Sequence, residues 1–247
     1  MKRKWGWKPD ELDFRDFPFK RVTRVKVPDK VDLRPGCSHI EDQQSLGSCT
    51  ANAGAGLYEF LEKKQGMAQA DASRLFLYYN TRILEGTVRE DSGASIRNTI
   101  KAMAKWGMCA EKRWPYDIKR FTVKPSSDCY KEGVKHVAIV YQRLQTLDDM
   151  LKCLADGFPF EFGFAVYESF ESDQVTKTGI VSMPKKTEEF LGGHAVIAVG
   201  YDQAKKRFIV RNSWGGDWGV NGYCFMPFAY LTDRNLSDDL WVVRKQS

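Results

Sequence analysis

A cysteine at the head of a predicted helix constrains this chain more than any other feature. The run Gln43-Gln44-Ser45-Leu46-Gly47-Ser48-Cys49 places small residues before the thiol, and a helix-forming stretch follows it. Unpaired backbone amides and the helix dipole stabilise negative charge at such a position. Because this lowers the pKa of a thiol, Cys49 is predicted to be a reactive thiolate and a nucleophile.

A nucleophile needs a base, and the base needs a group that orients it. Downstream the chain supplies Gly192-Gly193-His194-Ala195 and then Val210-Arg211-Asn212-Ser213-Trp214-Gly215. The imidazole of His194 is the candidate base. The amide oxygen of Asn212 can accept a hydrogen bond from the imidazole N–H and so fix its orientation and tautomer.

These blocks resemble the papain-like cysteine peptidases, and the short leader resembles that of some bacterial and viral members. The chain reads His194-Ala195-Val196-Ile197-Ala198-Val199-Gly200-Tyr201 and then Asn212-Ser213-Trp214-Gly215-Gly216-Asp217-Trp218-Gly219. His194 and Asn212 follow Cys49 by 145 and 163 residues. The family places both about 130–150 residues after the cysteine. The likeness extends from about residue 31 to 243.

The resemblance implies a two-lobed α+β fold with the active-site cleft between the lobes. The expected parts are an N-terminal arm at 1–30, a helical lobe at 31–134 and a β-rich lobe at 135–247. Hydrophobic periodicity agrees with this order. It predicts helices at 49–65, 73–84, 95–106 and 147–155, and strands at 160–166, 194–200, 207–211, 222–226 and 240–244.

The resemblance also implies roles for particular residues. Cys49, His194 and Asn212 carry the chemistry, and Gln43 donates to the oxyanion; Gln44 takes that role if the register slips by one. The residues expected to bind substrate are Gly93, Ala94, Gly163, Gly193, Ala195 and Trp214.

Two of these positions depart from the family, which has a second glycine at Ala94 and often Asp or Asn at Gly193. Gly163 and Ala195 predict room for a bulky apolar side chain two residues before the cut. The chain has no adjacent histidine pair of the kind that blocks the cleft in one exopeptidase type, which favours an endopeptidase.

Charge is concentrated in the arm. Residues 1–30 contain ten basic and five acidic residues, which leaves 28 basic and 27 acidic residues in the body. A nearly neutral body argues against a nucleic-acid partner. The arm also carries five aromatic side chains that need a surface to pack on. It is interpreted either as a short inhibitory propeptide or as a structural wrap, and both remain open.

Other sequence features limit compartment and partners. No apolar run approaches the ~18 residues of a membrane span, and residues 5–19 lack the apolar core of a secretory signal. We therefore expect a cytoplasmic or non-classically exported protein, unless a leader lies outside this sequence. Leu46 stands where secreted relatives carry a bridging cysteine, which fits a reducing compartment. The chain has no Cys-x-x-Cys pair that would indicate a metal site, and no cofactor is expected.

The predicted function is a monomeric cysteine endopeptidase acting on proteins or peptides. It would work through a Cys49 thiolate, a His194 imidazolium and an acyl-enzyme. One alternative is an inactive homologue that binds peptides. The other is a transglutaminase-like acyltransferase, although that class normally orients its histidine with Asp.

Overall fold

The computed structural model describes residues 4–20, 26–67, 71–136 and 139–245. Its α-helices are α1 (Cys49–Lys64), α2 (Arg74–Glu85), α3 (Ile96–Trp106), α4 (Ser127–Gly133), α5 (Leu147–Ala155), α6 (Asp173–Thr178) and α7 (Phe228–Thr232). Its strands are β1 (Lys30–Asp32), β2 (Ile139–Arg143), β3 (Phe160–Tyr167), β4 (Phe190–Asp202), β5 (Arg207–Arg211), β6 (Tyr223–Pro227) and β7 (Ser237–Lys245).

Helices α2, α3 and α5 begin where the sequence supplies a cap, whereas the hydroxyl of Ser48 before α1 pairs with Tyr116 instead. Ser73 accepts a hydrogen bond from the N–H of Phe76 at the start of α2, and Ser95 caps α3 in the same way. Thr146 and Asp149 form a reciprocal capping box at α5. Because these bonds satisfy amides that the helix itself leaves unpaired, they fix each helix start.

Seven strands form one antiparallel sheet in the order β2-β7-β3-β4-β5-β6, with β1 paired to β4 off this path. The chain therefore enters the sheet at β1 before it builds the helices α1 to α3. The lobe boundary at residue 31 stays a prediction, and β1 lies across it. The mixed α+β papain-like fold is confirmed.

Both faces of the sheet are covered. One face packs against α1, α2 and α3, and the opposite face packs against α5, α6 and α7. Phe160, Phe162 and Phe164 point into the second core. Glu161 lies between them on the other face, and it is also completely buried. Alternate side chains of β3 therefore enter two different buried regions, and neither face of this strand is exposed to solvent.

The arm is only partly packed. Trp5, Trp7 and Phe19 are half-buried against the body. Phe14 and Phe17 remain 101% and 71% exposed, so the expectation that the arm's aromatics find a packing surface is wrong for these two.

None of the helices within the described ranges is long and apolar enough to cross a membrane. In the same ranges all six cysteines are free thiols.

Candidate active site

The first helix begins at Cys49, as predicted. Its thiol is completely buried. Burial raises the pKa of Cys49 to about 12, and the backbone N–H groups of Ala195, Gly6 and Thr50 directed at the sulfur lower it only in part. The expected thiolate is therefore wrong for this arm-covered form, because burial removes the water that would stabilise the charge.

His194 and Asn212 lie beside each other at the centre of the sheet. The Nε2 of His194 is 2.8 Å from the Oδ1 of Asn212, and that oxygen also accepts from the N–H of Ser213 at 2.8 Å. The Trp214 indole stacks on the imidazole with 5.0 Å between ring centroids, and Trp218 packs edge-on against Trp214. The pair is thus held in an apolar, water-poor setting that strengthens its hydrogen bond.

Gln43 is buried and its amide has a fixed orientation. Its Oε1 accepts from the hydroxyl of Ser213 at 2.8 Å. Its Nε2 donates to the carbonyl of Leu46 at 3.1 Å and to that of Lys4, in the arm, at 3.4 Å. Gln44 is exposed, with a φ of 54°. The geometry therefore favours Gln43 over its neighbour as the donor that faces the cleft.

The arm runs through the cleft and bonds to it by main-chain groups. The N–H of Ala94 donates to the carbonyl of Gly6 at 2.7 Å, and the N–H of Lys8 donates to the carbonyl of Ala94 at 3.0 Å. On the opposite wall, the N–H of Trp7 donates to the carbonyl of Gly193 at 3.0 Å. The segments predicted to bind a substrate backbone thus hold the arm instead.

Close approach of the arm depends on glycine. A Cβ at Gly6 would lie 2.0 Å from the carbonyl oxygen of Gly47, and a Cβ at Gly93 would lie 2.2 Å from that of Gly6. At Gly192 the same atom would lie 2.6 Å from the side chain of Trp5. The arm therefore approaches the cleft at distances that a side chain on any of these glycines would prevent.

Trp7 occupies the pocket at Gly163. A Cβ on Gly163 would lie 1.9 Å from the Cε2 of Trp7. The indole N–H donates to the Oδ2 of Asp239 at 3.1 Å, and the N–H of Asp10 donates to the same oxygen at 2.7 Å. Sequence reasoning missed Asp239. The signal was an aspartate pair at the start of an otherwise apolar strand.

One group of side chains outside the cleft has the composition of a cation site. Ligand atoms of His39, Glu41 and Asp71 lie within 4.8 Å of one another. Glu41 is already 2.7 Å from the guanidinium of Arg74 and 2.7 Å from the imidazole of His39. Its charge is thus met by protein groups.

Comparison with known proteins places these features in a family. The profile of the papain family cysteine proteases matches residues 27–229. A peptidase C1-like protein of Acanthamoeba polyphaga mimivirus is 50% identical over 96% of this chain and 81% of its own length. The crystal structure of xylellain, a cysteine protease from Xylella fastidiosa, superposes with a TM-score of 0.93 at 39% identity, over 100% of this chain and 99% of that one.

A procathepsin B of Trypanosoma congolense shares the fold at 21% identity, with a TM-score of 0.73 over 98% of this chain and 85% of that one. The cysteine, histidine and asparagine blocks that carried the resemblance thus lie in a chain whose sequence and fold both match. The chain belongs to the papain family of cysteine proteases, hydrolases that act on peptide bonds.

Proposed function

We propose that the chain is a cysteine endopeptidase which its own N-terminal arm keeps latent. One observation carries this proposal: the backbone of Gly6 lies at the sulfur of Cys49. On either side of that point the arm uses the main-chain groups of Ala94 and Gly193. A peptide cannot enter a groove that is already paired along both walls.

Departure of the arm restores the chemistry. Water then reaches Cys49, the burial that raises its pKa is lifted, and its proton can pass to His194. The thiolate attacks the peptide carbonyl, and the C–N bond breaks as the imidazolium protonates the leaving amine. Neutral imidazole next takes a proton from water, which hydrolyses the thioester. Gln43 donates to the oxyanion, and losing one such donor costs about 10²–10³ in rate.

The direction of the arm supports latency rather than self-cleavage. The leaving amine must lie near His194, so the C-terminal part of a substrate lies on the side of His194 and Trp214. In the arm that side is occupied by Trp5, whose ring centroid is 5.8 Å from that of His194, and the later residue Trp7 fills the opposite pocket. The arm therefore runs opposite to a substrate, and its carbonyls are presented in the wrong order for attack.

An epoxide probe for papain-like enzymes tests the proposal on the full chain. The double variant Trp5→Ala/Trp7→Ala loosens the seated part of the arm. The matched control, Phe14→Ala/Phe17→Ala, removes two aromatic rings of the same arm that touch little. We expect the first variant to label faster than the parent and to cleave a denatured protein, and the control to behave as the parent. Cys49→Ala should abolish labelling.

The outcomes separate the alternatives. Peptide binding without labelling or cleavage in the loosened variant would mean an inactive, peptide-binding homologue. Transfer of the acyl group to an added amine in preference to water would mean an acyltransferase. Equal labelling of the parent and the loosened variant would remove the inhibitory role and leave the arm a structural wrap.

A further inference from the structure

The arm occupies a second position on the body, beyond the pocket that holds Trp7. There the carboxylate of Asp10 accepts two hydrogen bonds, from the backbone N–H of Arg97 at 3.0 Å and from the indole N–H of Trp241 at 2.8 Å. Arg97 lies in the first turn of α3, whose amides have no partner within the helix. Trp241 is completely buried. Both donors belong to the body, and together they form a site that holds one carboxylate by both of its oxygens.

A second carboxylate of the arm lies beside the first. The Oδ2 of Asp16 is 2.5 Å from the guanidinium of Arg97 and 3.3 Å from that of Arg143. Each of these guanidinium groups lies 5.6 Å from the centroid of the Trp241 ring. Positive charge is therefore concentrated around the indole that donates to Asp10.

The guanidinium of Arg97 is neutralised by the arm alone. It donates to Asp16 and, at 2.5 Å, to the carbonyl of Glu11. Within the described part of the chain, no carboxylate of the body pairs with it. Departure of the arm therefore leaves Arg97 without a counter-charge and the indole N–H of Trp241 without its acceptor. Donors of this kind favour a new acceptor that brings negative charge.

The site favours the charged form of the carboxyl that it binds. Burial raises the pKa of Asp10, but the hydrogen bonds from Arg97 and Trp241 lower it, as do the charges of Arg97 and Arg143. Asp239 faces the site from β7 and opposes a second negative charge, although its own Oδ1 is bound by Arg143 at 3.0 Å. Once the arm leaves, water relieves the burial, and the donors that favour a carboxylate remain.

We propose that this carboxylate site, formed by Arg97 and Trp241, binds an acidic side chain of the substrate on the N-terminal side of the cut. The inference rests on the proposed protease function and deepens it. Asp10 follows Trp7 by three residues, and Trp7 fills the pocket expected to take the side chain two residues before the cut. Because a substrate runs opposite to the arm, its residue about five positions before the cut reaches the site.

The test uses the full chain with Trp5→Ala/Trp7→Ala/Asp10→Ala, which loosens the arm and removes the arm's own carboxylate from the site. Two fluorogenic peptides share one sequence except at the fourth to sixth residues before the cut, where one carries glutamates and the other glutamines. Glutamine keeps the shape of glutamate without its charge. A third peptide carries the same glutamates after the cut instead.

Two further variants of this enzyme remove parts of the site. Trp241→Phe keeps an aromatic ring but loses the N–H, and Arg97→Gln loses the guanidinium but keeps the backbone N–H. Each has a matched control on α3. Trp106→Phe removes an indole at the far end of that helix, and Lys101→Gln removes a positive charge one turn beyond Arg97.

A charge-assisted hydrogen bond predicts that kcat/KM for the glutamate peptide exceeds that for the glutamine peptide by about tenfold at low salt. The ratio should fall to about threefold or less in Trp241→Phe and in Arg97→Gln, because each loses one of the donors. It should stay unchanged in both controls. Because the readout is a ratio, it is independent of how much enzyme is folded or free of its arm.

A ratio near one before the site is altered, or an equal gain from glutamates placed after the cut, would overturn the inference and leave the protease function intact. A ratio that Trp241→Phe and Arg97→Gln both leave unchanged would overturn it as well. Failure to cut any peptide together with failure of the epoxide probe would overturn the protease function, and this inference with it.

Discussion

The two halves of the arm meet the body in different ways. From Lys4 to Asp10 the backbone itself is bonded into the cleft, at Ala94 and Gly193. From Glu11 to Lys20 the rings of Phe14 and Phe17 stand in solvent, and the main chain pairs with the edge strand β2 instead, where the N–H of Phe19 donates to the carbonyl of Arg143 at 2.9 Å. Main-chain pairing, and not hydrophobic surface, therefore holds both halves of the arm, but only the front half is paired inside the cleft.

Gly6→Val should have the largest effect. The added Cβ would lie 2.0 Å from the carbonyl oxygen of Gly47, and because that neighbour is backbone, the arm must shift out of its place. Overpacking of this kind costs about 1–3 kcal/mol or more, so labelling of Cys49 by the epoxide probe should accelerate about tenfold to a hundredfold. An unchanged labelling rate would show that the front half of the arm does not block the sulfur.

Latency should depend on pH in a direction set by Asp239. Burial, and after it the charge of Asp10, raises the pKa of this carboxyl to about 7. With the arm docked, Asp239 therefore holds a proton that it releases when the arm leaves, so docking is strongest in acid. It should weaken as pH rises from about 4 to 7 and level off above that.

The measurement is the labelling rate of the parent divided by that of Gly6→Val at each pH, which cancels the intrinsic reactivity of Cys49. We expect this ratio to rise between pH 5 and pH 7.5 in the parent and to rise less in Asp239→Asn, where Asp10, whose pKa burial also raises, still titrates. A ratio that falls with pH would contradict the assignment.

Lys4→Ala should have a small effect. Its Nζ is 2.8 Å from the Oδ2 of Asp91, but the lysine side chain is half exposed. Exposed ion pairs contribute about 0.2–1 kcal/mol, so labelling should accelerate about twofold at most, and less in high salt. Lys8→Ala, whose ion pair with Glu85 is longer at 3.9 Å, is the control and should change less.

Phe14→Ser should have no measurable effect. The ring is fully exposed and lies in the back half of the arm. Tm and labelling rate should match the parent within error. A clear fall in Tm would mean that the Phe14 ring packs on the body in solution and that hydrophobic surface helps to hold this half of the arm.

Much of the fold could be read from local sequence. The predicted helix at 147–155 and its Thr146 cap are found as expected, and the helix at 49–65 ends one residue earlier. Strand 207–211 is found with the same ends, while the strand at 194–200 extends to Phe190–Asp202. These elements carry strong local signals: caps, glycine stops and clear periodicity.

The buried carboxyls of Glu161 and Asp239 could not be predicted in this way. Glu161 alternates with phenylalanines, a pattern that usually marks a solvated face, but α1 and α3 pack on that side of β3 and Glu161 is buried. Asp239 reaches the cleft because strand register shifts, and register is set by pairing between segments far apart in sequence. The prediction of a lowered pKa for Cys49 was wrong because the N-terminal arm covers the thiol and excludes water from it.

Strand β1 gives the arm a property that a separate inhibitor would lack. Lys30–Asp32 is paired to β4, so an arm that leaves the cleft is still tethered to the sheet beside it. A tethered segment competes with substrate for the cleft at an effective concentration of about millimolar, whatever the amount of enzyme. Under the proposed latency, dilution cannot switch this protease on, and an arm displaced by a scarce substrate returns once that substrate is spent.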